Sequence, residues 1–179
     1  MCGKPRMRNT MKGIDQGKMK LRLDIDEVIM TLEIRGWIPE DSGEKGDHWT
    51  RDHFALTGDY VHYSFDNEAL ACREVAEIRD LTEALLEGNL ITPEYYEPME
   101  GDFWFLFSPA CSDPASDLYL WLTVCFPLRD GTCGSNTFSM TLGRKEIRAL
   151  YHYFSLVTGE LDPYDEEISK LAEEGVLVI

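Results

Sequence analysis

Residues 136–157 read NTFSMTLGRKEIRALYHYFSLV, and their apolar period changes midway. Asn136, Phe138, Met140 and Leu142 alternate with Thr137, Ser139 and Thr141. That period of two is the pattern of a half-buried strand. Further on, Ile147, Leu150, Tyr151, Phe154 and Val157 recur at helical spacing. This predicts a helix over about 144–158 with those side chains inward. A strand running directly into an amphipathic helix points to an α+β domain, in which helices cover one face of an antiparallel sheet.

The same order occurs earlier in the chain. Gly58-Asp59 lies between two alternating runs and suits a two-residue type II′ hairpin turn. Pairing Thr57 with Tyr60 sets Phe54 opposite Tyr63 and Leu56 opposite Val61, with Phe65 on the same core face. Trp49, Arg51, His53, Ala55, Tyr60, His62 and Ser64 then point the other way. A helix over about 73–87 follows, with Val75, Ile78, Leu81, Leu85 and Leu86 on one stripe and Gly88-Asn89 as its stop.

The remaining elements extend the pattern. Leu21, Leu23 and Ile25, then Val28, Met30, Leu32 and Ile34, predict two strands joined near Asp26-Glu27. Residues 39–47 form a polar loop, and Pro93 and Pro98 bracket another. Phe103, Phe105 and Phe107 alternate with Trp104 and Leu106, which predicts a strand buried on both sides or lying at an interface. After a polar loop over 108–116, Leu118, Leu120, Leu122, Val124 and Phe126 face one way; Tyr119, Trp121, Thr123 and Cys125 face the other. Asp130-Gly131 and Gly134 mark a longer hairpin loop.

Together these predict one antiparallel sheet of about six or seven strands with two main helices on one face. Glu77-Ile78-Arg79 and Leu81 recur as Glu146-Ile147-Arg148 and Leu150, an offset of 69. The recurrence predicts a ββ(β)α repeat, its two halves side by side in one sheet.

The chain has 179 residues, enough for one domain, which we place at 20–160. Residues 1–19 read as a basic, disordered leader, and 161–179 as an acidic helix followed by an apolar tail. Asp162-Pro163 opens that helix, Ile168, Leu171 and Ala172 give it a thin stripe, and Gly175 ends it. Val176–Ile179 then docks as an edge strand or in a groove of its own chain, or else makes a dimer contact.

Thirty-three acids face 17 bases, a net charge of −16. The first twenty residues carry six bases and one acid, or +5, which leaves −21 on residues 21–179. A general nucleic-acid binder carries the opposite sign. No apolar run reaches the roughly 18 residues of a membrane-spanning helix. The five cysteines, Cys2, Cys72, Cys111, Cys125 and Cys133, are odd in number, irregularly spaced and without a C-x-x-C pair. Such usage fits reduced thiols in the cytoplasm.

Motifs of chemistry are sparse. The sequence contains no G-x-S-x-G, P-loop, G-x-G-x-x-G or H-E-x-x-H. His53 and His62 share a hairpin face at a diagonal, and with Asp47, His48 and Asp52 they raise a metal site. Strand alternation points His48 and His53 apart, so no metal is expected. Asp41–Asp47 has the outline of a calcium loop but lacks acids at its third and fifth positions and the closing Glu. His152 falls on the outer side of its helix, near Arg148 and Ser155. No catalytic residue and no cofactor are expected.

Aromatics and charge say more. Trp49, Tyr60, Trp104, Tyr119 and Trp121 lie on the strand faces opposite the main aliphatic rows. With Arg51, His53 and His62 they make either a candidate partner-binding face within a negative surround or a second small core.

The runs LEIRGW at 32–37, VAEIRDLTEALLEG at 75–88, DFWFLF at 102–107, DLYLWLTVCFPL at 117–128 and TFSMTLGRKEIRALYHYFSLV at 137–157 resemble the WapI-like family over roughly residues 20–160. That family comprises small bacterial immunity proteins and uncharacterised relatives. The resemblance implies a cytoplasmic, non-catalytic protein that binds and neutralises a basic toxin domain, often a nuclease. Two other functions compete with it. One is a small-ligand-binding or enzymatic domain with a pocket near Trp49, His53, Tyr60 and His62. The other is a structural or regulatory protein that dimerises through the terminal Val176–Ile179.

Overall fold

A computed structural model describes residues 19–39, 48–110, 117–127 and 133–178. The leader up to residue 18, the polar loop with Asp41–Asp47, residues 111–116, Asp130-Gly131 and Ile179 lie outside the described residues. The described chain is α+β, with strands β1 (Lys20–Ile25), β2 (Val28–Arg35), β3 (Arg51–Thr57) and β4 (His62–Asn67), then helix α1 (Cys72–Glu87). Next come β5 (Glu94–Tyr96), β6 (Phe103–Ser108), β7 (Tyr119–Pro127), β8 (Cys133–Leu142) and α2 (Arg144–Val157). The chain closes with α3 (Glu166–Glu173) and β9 (Leu177–Val178).

The expectation of one sheet is corrected: the described strands form two antiparallel sheets, β4-β3-β2-β1-β9 and β5-β6-β7-β8. The reason is coverage. Nine strands side by side, about 4.8 Å apart, would spread an apolar face over roughly 40 Å. Two helices, each about 10 Å across, cannot cover it. Split into two, the sheets cover each other. Phe103 of β6 packs against Phe54 and Phe65 of the first sheet at 5.2 and 5.7 Å between ring centroids, and Phe126 of β7 meets Tyr63 of β4 at 4.4 Å. Both sheets, α1 and α2 contribute to one continuous core.

Each half runs four strands and then a helix, but the offset of 69 is not the structural one. The helices start at Cys72 and Arg144, an offset of 72. Glu74 and Glu146 both stand three residues past the N-cap, and each carboxylate accepts the N-cap amide, Ala71 at 2.7 Å and Gly143 at 3.1 Å. The Glu-Ile-Arg match is therefore displaced by nearly one helical turn. It records a shared amphipathic period rather than equivalent positions.

The β3–β4 register is also corrected. Thr57 pairs with His62, Leu56 with Tyr63 and Phe54 with Phe65, so the loop has four residues and not two. The shift is even, so every side chain keeps its expected face. The Gly58 amide bonds the Val61 carbonyl at 2.8 Å. Gly58 is needed for closeness and not for a positive φ, because a Cβ there would lie 3.0 Å from the Glu27 carbonyl oxygen. That oxygen belongs to the β1–β2 turn, where Asp26 and Glu27 hold φ of 47° and 71°.

Three smaller corrections follow. The segment between Pro93 and Pro98 contains strand β5, paired with β6. Gly134 lies within β8 rather than in its loop. In α2 the inward tyrosine is Tyr153, fully buried, while Tyr151 is half-buried and bonds Glu83 at 2.7 Å. The Tyr153 hydroxyl accepts the Ile34 amide at 2.8 Å and donates to the Met19 carbonyl at 3.3 Å, tying α2 to the first sheet. The apolar tail docks in its own chain: β9 pairs with β1 through Leu21–Leu177, and Leu177 is buried.

Candidate functional site

The eight residues of the expected binding face do not share one surface. Arg51, His53 and His62 lie on the outer face of the five-stranded sheet, where His53 stands in a cross-strand row with Lys20, Glu33 and Asp66. Lys20 meets Glu33 at 3.2 Å, and His53 Nδ1 lies 3.0 Å from Asp66 on β4. Glu33 also accepts two bonds from Arg35 at 2.7 and 2.9 Å, which hold its carboxyl below the usual carboxylate range. Glu33 is itself buried beneath its Lys20 and Arg35 partners, while Asp66 at the far end of the row stays exposed. His53 and His62 are not diagonal neighbours. The longer loop places His62 opposite Thr57, four residues along β3 from His53, or about 13 Å of strand.

Trp49 and Tyr60 stand apart from that row. Trp49 is half-buried and bridges Ala71 at the start of α1. Three residues on, the Asp52 carboxylate is 1% exposed and accepts the Ala69 and Leu70 amides at 3.1 and 3.0 Å and the Thr50 hydroxyl at 2.9 Å. Burial pushes its pKa up to about 7 against those bonds. This network fastens the β4–α1 connection. Tyr60 is fully exposed in the β3–β4 loop, on the rim of a notch of about 280 Å³. Phe126 and Phe138 wall the notch, and Asp26, Glu27 and Asp59 border it.

Trp104, Tyr119 and Trp121 do come together, on the outer face of the four-stranded sheet. Strand register sets Tyr95, Leu106, Trp121 and Thr141 side by side in one row across β5 to β8. Trp104, Thr123 and Ser139 form the next row, and Tyr119 lies 5.9 Å from Trp121. The opposite face of these strands carries Phe103, Phe105, Phe107, Leu120, Leu122 and Val124 into the core. The aromatic face is open to solvent, with Trp121 48% and Tyr95 55% exposed. Trp104 Nε1 donates to Glu97 at 3.1 Å, and Thr123 shares a 2.8 Å hydrogen bond with Ser139. Aromatics that keep a polar handle over an aliphatic centre have the composition of a protein-contact surface.

Two members of this face escaped the sequence reading. Tyr95 falls in the loop expected between Pro93 and Pro98, and Leu106 in a strand whose pattern predicts burial on both sides or an interface. The Tyr95-Tyr96 pair between the prolines was the signal for a short strand. No family model matches the chain, and no curated protein matches it.

Proposed function

We propose that this chain is a non-catalytic interaction protein of the immunity type, acting in the cytoplasm. It would bind a basic protein, a toxin domain, through the open aromatic face of its four-stranded sheet. One observation carries this reading: Tyr95, Trp104, Leu106, Tyr119 and Trp121 share one solvent-facing surface on a protein of net charge −16. The rigid rings serve as anchors, because large aromatics carry most of the energy of protein interfaces. The negative field draws in a basic partner and discriminates against acidic ones. Covering the partner's cationic surface blocks its substrate by bulk and charge. The resemblance of residues 20–160 to WapI-like immunity proteins supports the choice of partner.

The test is titration of this protein with the toxin domain encoded beside its gene, at low and at physiological salt. Binding should accelerate at low salt, and Trp121→Ala should weaken it by about 2 kcal/mol or more. Failure to bind any neighbouring toxin domain at low salt sinks the proposal.

A further inference from the structure

In an acidic protein, a cluster of cations without ion pairs needs a reason. Ten lysines and arginines fall among the described residues, and five of them, Arg22, Arg144, Lys145, Arg148 and Lys170, line a single groove of about 730 Å³. The groove runs between α2, α3 and the end of β1 not covered by β9. Arg144 bonds Asp117 at 3.1 Å. Among the described residues the other four make no ion pair and no side-chain hydrogen bond, although the described chain holds 26 carboxylates.

Asp24, Glu146, Glu167 and Glu174 also line the groove, which leaves its walls at +1 within a protein at −16. Glu146 is engaged by the Gly143 amide at 3.1 Å. At physiological salt, fields decay over about 8 Å, so the charges lining the groove, net +1, weigh more there than the distant acids.

His152 supplies the second observation. Its expected place on the outer side of α2 is corrected, because α3 packs over that side and the ring is half-buried in the groove. Its Nδ1 is buried and has no hydrogen-bond partner among the described residues. Such a nitrogen wants a partner that the protein does not provide. Leu23, Ala149, Leu171 and Val176 give the groove an apolar wall.

We propose that the groove between α2, α3 and β1 is a binding site for a small organic phosphate. Cations carried on three elements around one groove suit a phosphate's several oxygens better than a single carboxylate. The volume is that of a small-molecule site, and the apolar wall has room for the ligand's body. The site is separate from the aromatic face and does not rest on the immunity reading.

The test is calorimetric titration of the full chain with ADP and with ribose 5-phosphate, with adenosine and inorganic phosphate as controls. At least one organic phosphate should bind at least about tenfold more tightly than either control. Arg148→Glu and Lys170→Glu, both at exposed positions, should each weaken it by at least about tenfold without moving the thermal midpoint. Arg73→Glu on α1, outside the groove, should leave the affinity unchanged. The His152 imidazole resonances should shift on binding. If neither organic phosphate binds, if a control binds equally well, or if the groove variants bind as the wild type does, the site is not there.

Discussion

Asp52 shows how one buried side chain can set a pH dependence. Its carboxyl, pushed up to about 7 by burial, holds a proton that the unfolded chain, at about 3.9, has already released. Between those values the folded protein binds more protons, so stability falls as pH rises. The contribution is complete below about pH 4 and lost as pH passes 7, and could reach roughly 4 kcal/mol. Asparagine keeps an acceptor for the Ala69 and Leu70 amides and does not ionise. Asp52→Asn should therefore cost about 1 kcal/mol at pH 5 and match or exceed the wild type at pH 8. Urea midpoints at both pH values decide it, and parallel profiles would refute the assignment. None of this was legible in the sequence, where Asp52 was one acid among 33. Strand alternation puts it on the same row as Phe54 and Leu56 but says nothing of the amides that meet it.

Elements were far more legible than their contacts. Both main helices fall within a residue or so of their expected bounds, because their stripes and stops are local properties. Strand β5 was missed because three residues carry too little period. The equivalence of the halves was misplaced because amphipathic period resembles itself at every turn, whereas the capping glutamates are unambiguous only in three dimensions. Those glutamates are unequal. Glu74 is buried and accepts two amides, Ala71 and Met99, so it pins both the start of α1 and the turn before β6. Glu146 is partly exposed and accepts one. Glu74→Ala should cost about 2–3 kcal/mol and Glu146→Ala about 1 kcal/mol or less, read from denaturation midpoints. Equal losses would mean that the turn contact adds nothing.

At the scale of the whole molecule, the alternation of apolar residues decides which face of each strand is inward but not what covers it. The pattern puts Phe54 and Phe65 on a core face and Phe103 in a strand buried on both sides or at an interface, but whether they belong to one sheet or to two depends on distances absent from any local pattern. The same limit applies to the aromatic outer rows: their pattern leaves a second core and a contact surface equally open, and exposure is a property of the assembled sheets, as at Trp121. The C-terminal strand carries the last consequence. β9 closes the edge of the five-stranded sheet, with the Arg22 amide bonded to the Val176 carbonyl at 2.7 Å and Leu177 buried against the core. A strand spent on its own sheet is not free to join another copy. Ending the chain at Gly175 should lower the unfolding free energy by about 2–4 kcal/mol, the scale of a buried leucine with its edge pairing. It should also expose the β1 edge, a template for pairing between chains. Sedimentation should therefore give the intact chain the same mass with or without Leu177→Ser, while the truncated chain gains mass as its concentration rises. A fall in mass on truncation would instead assign the tail to a dimer contact.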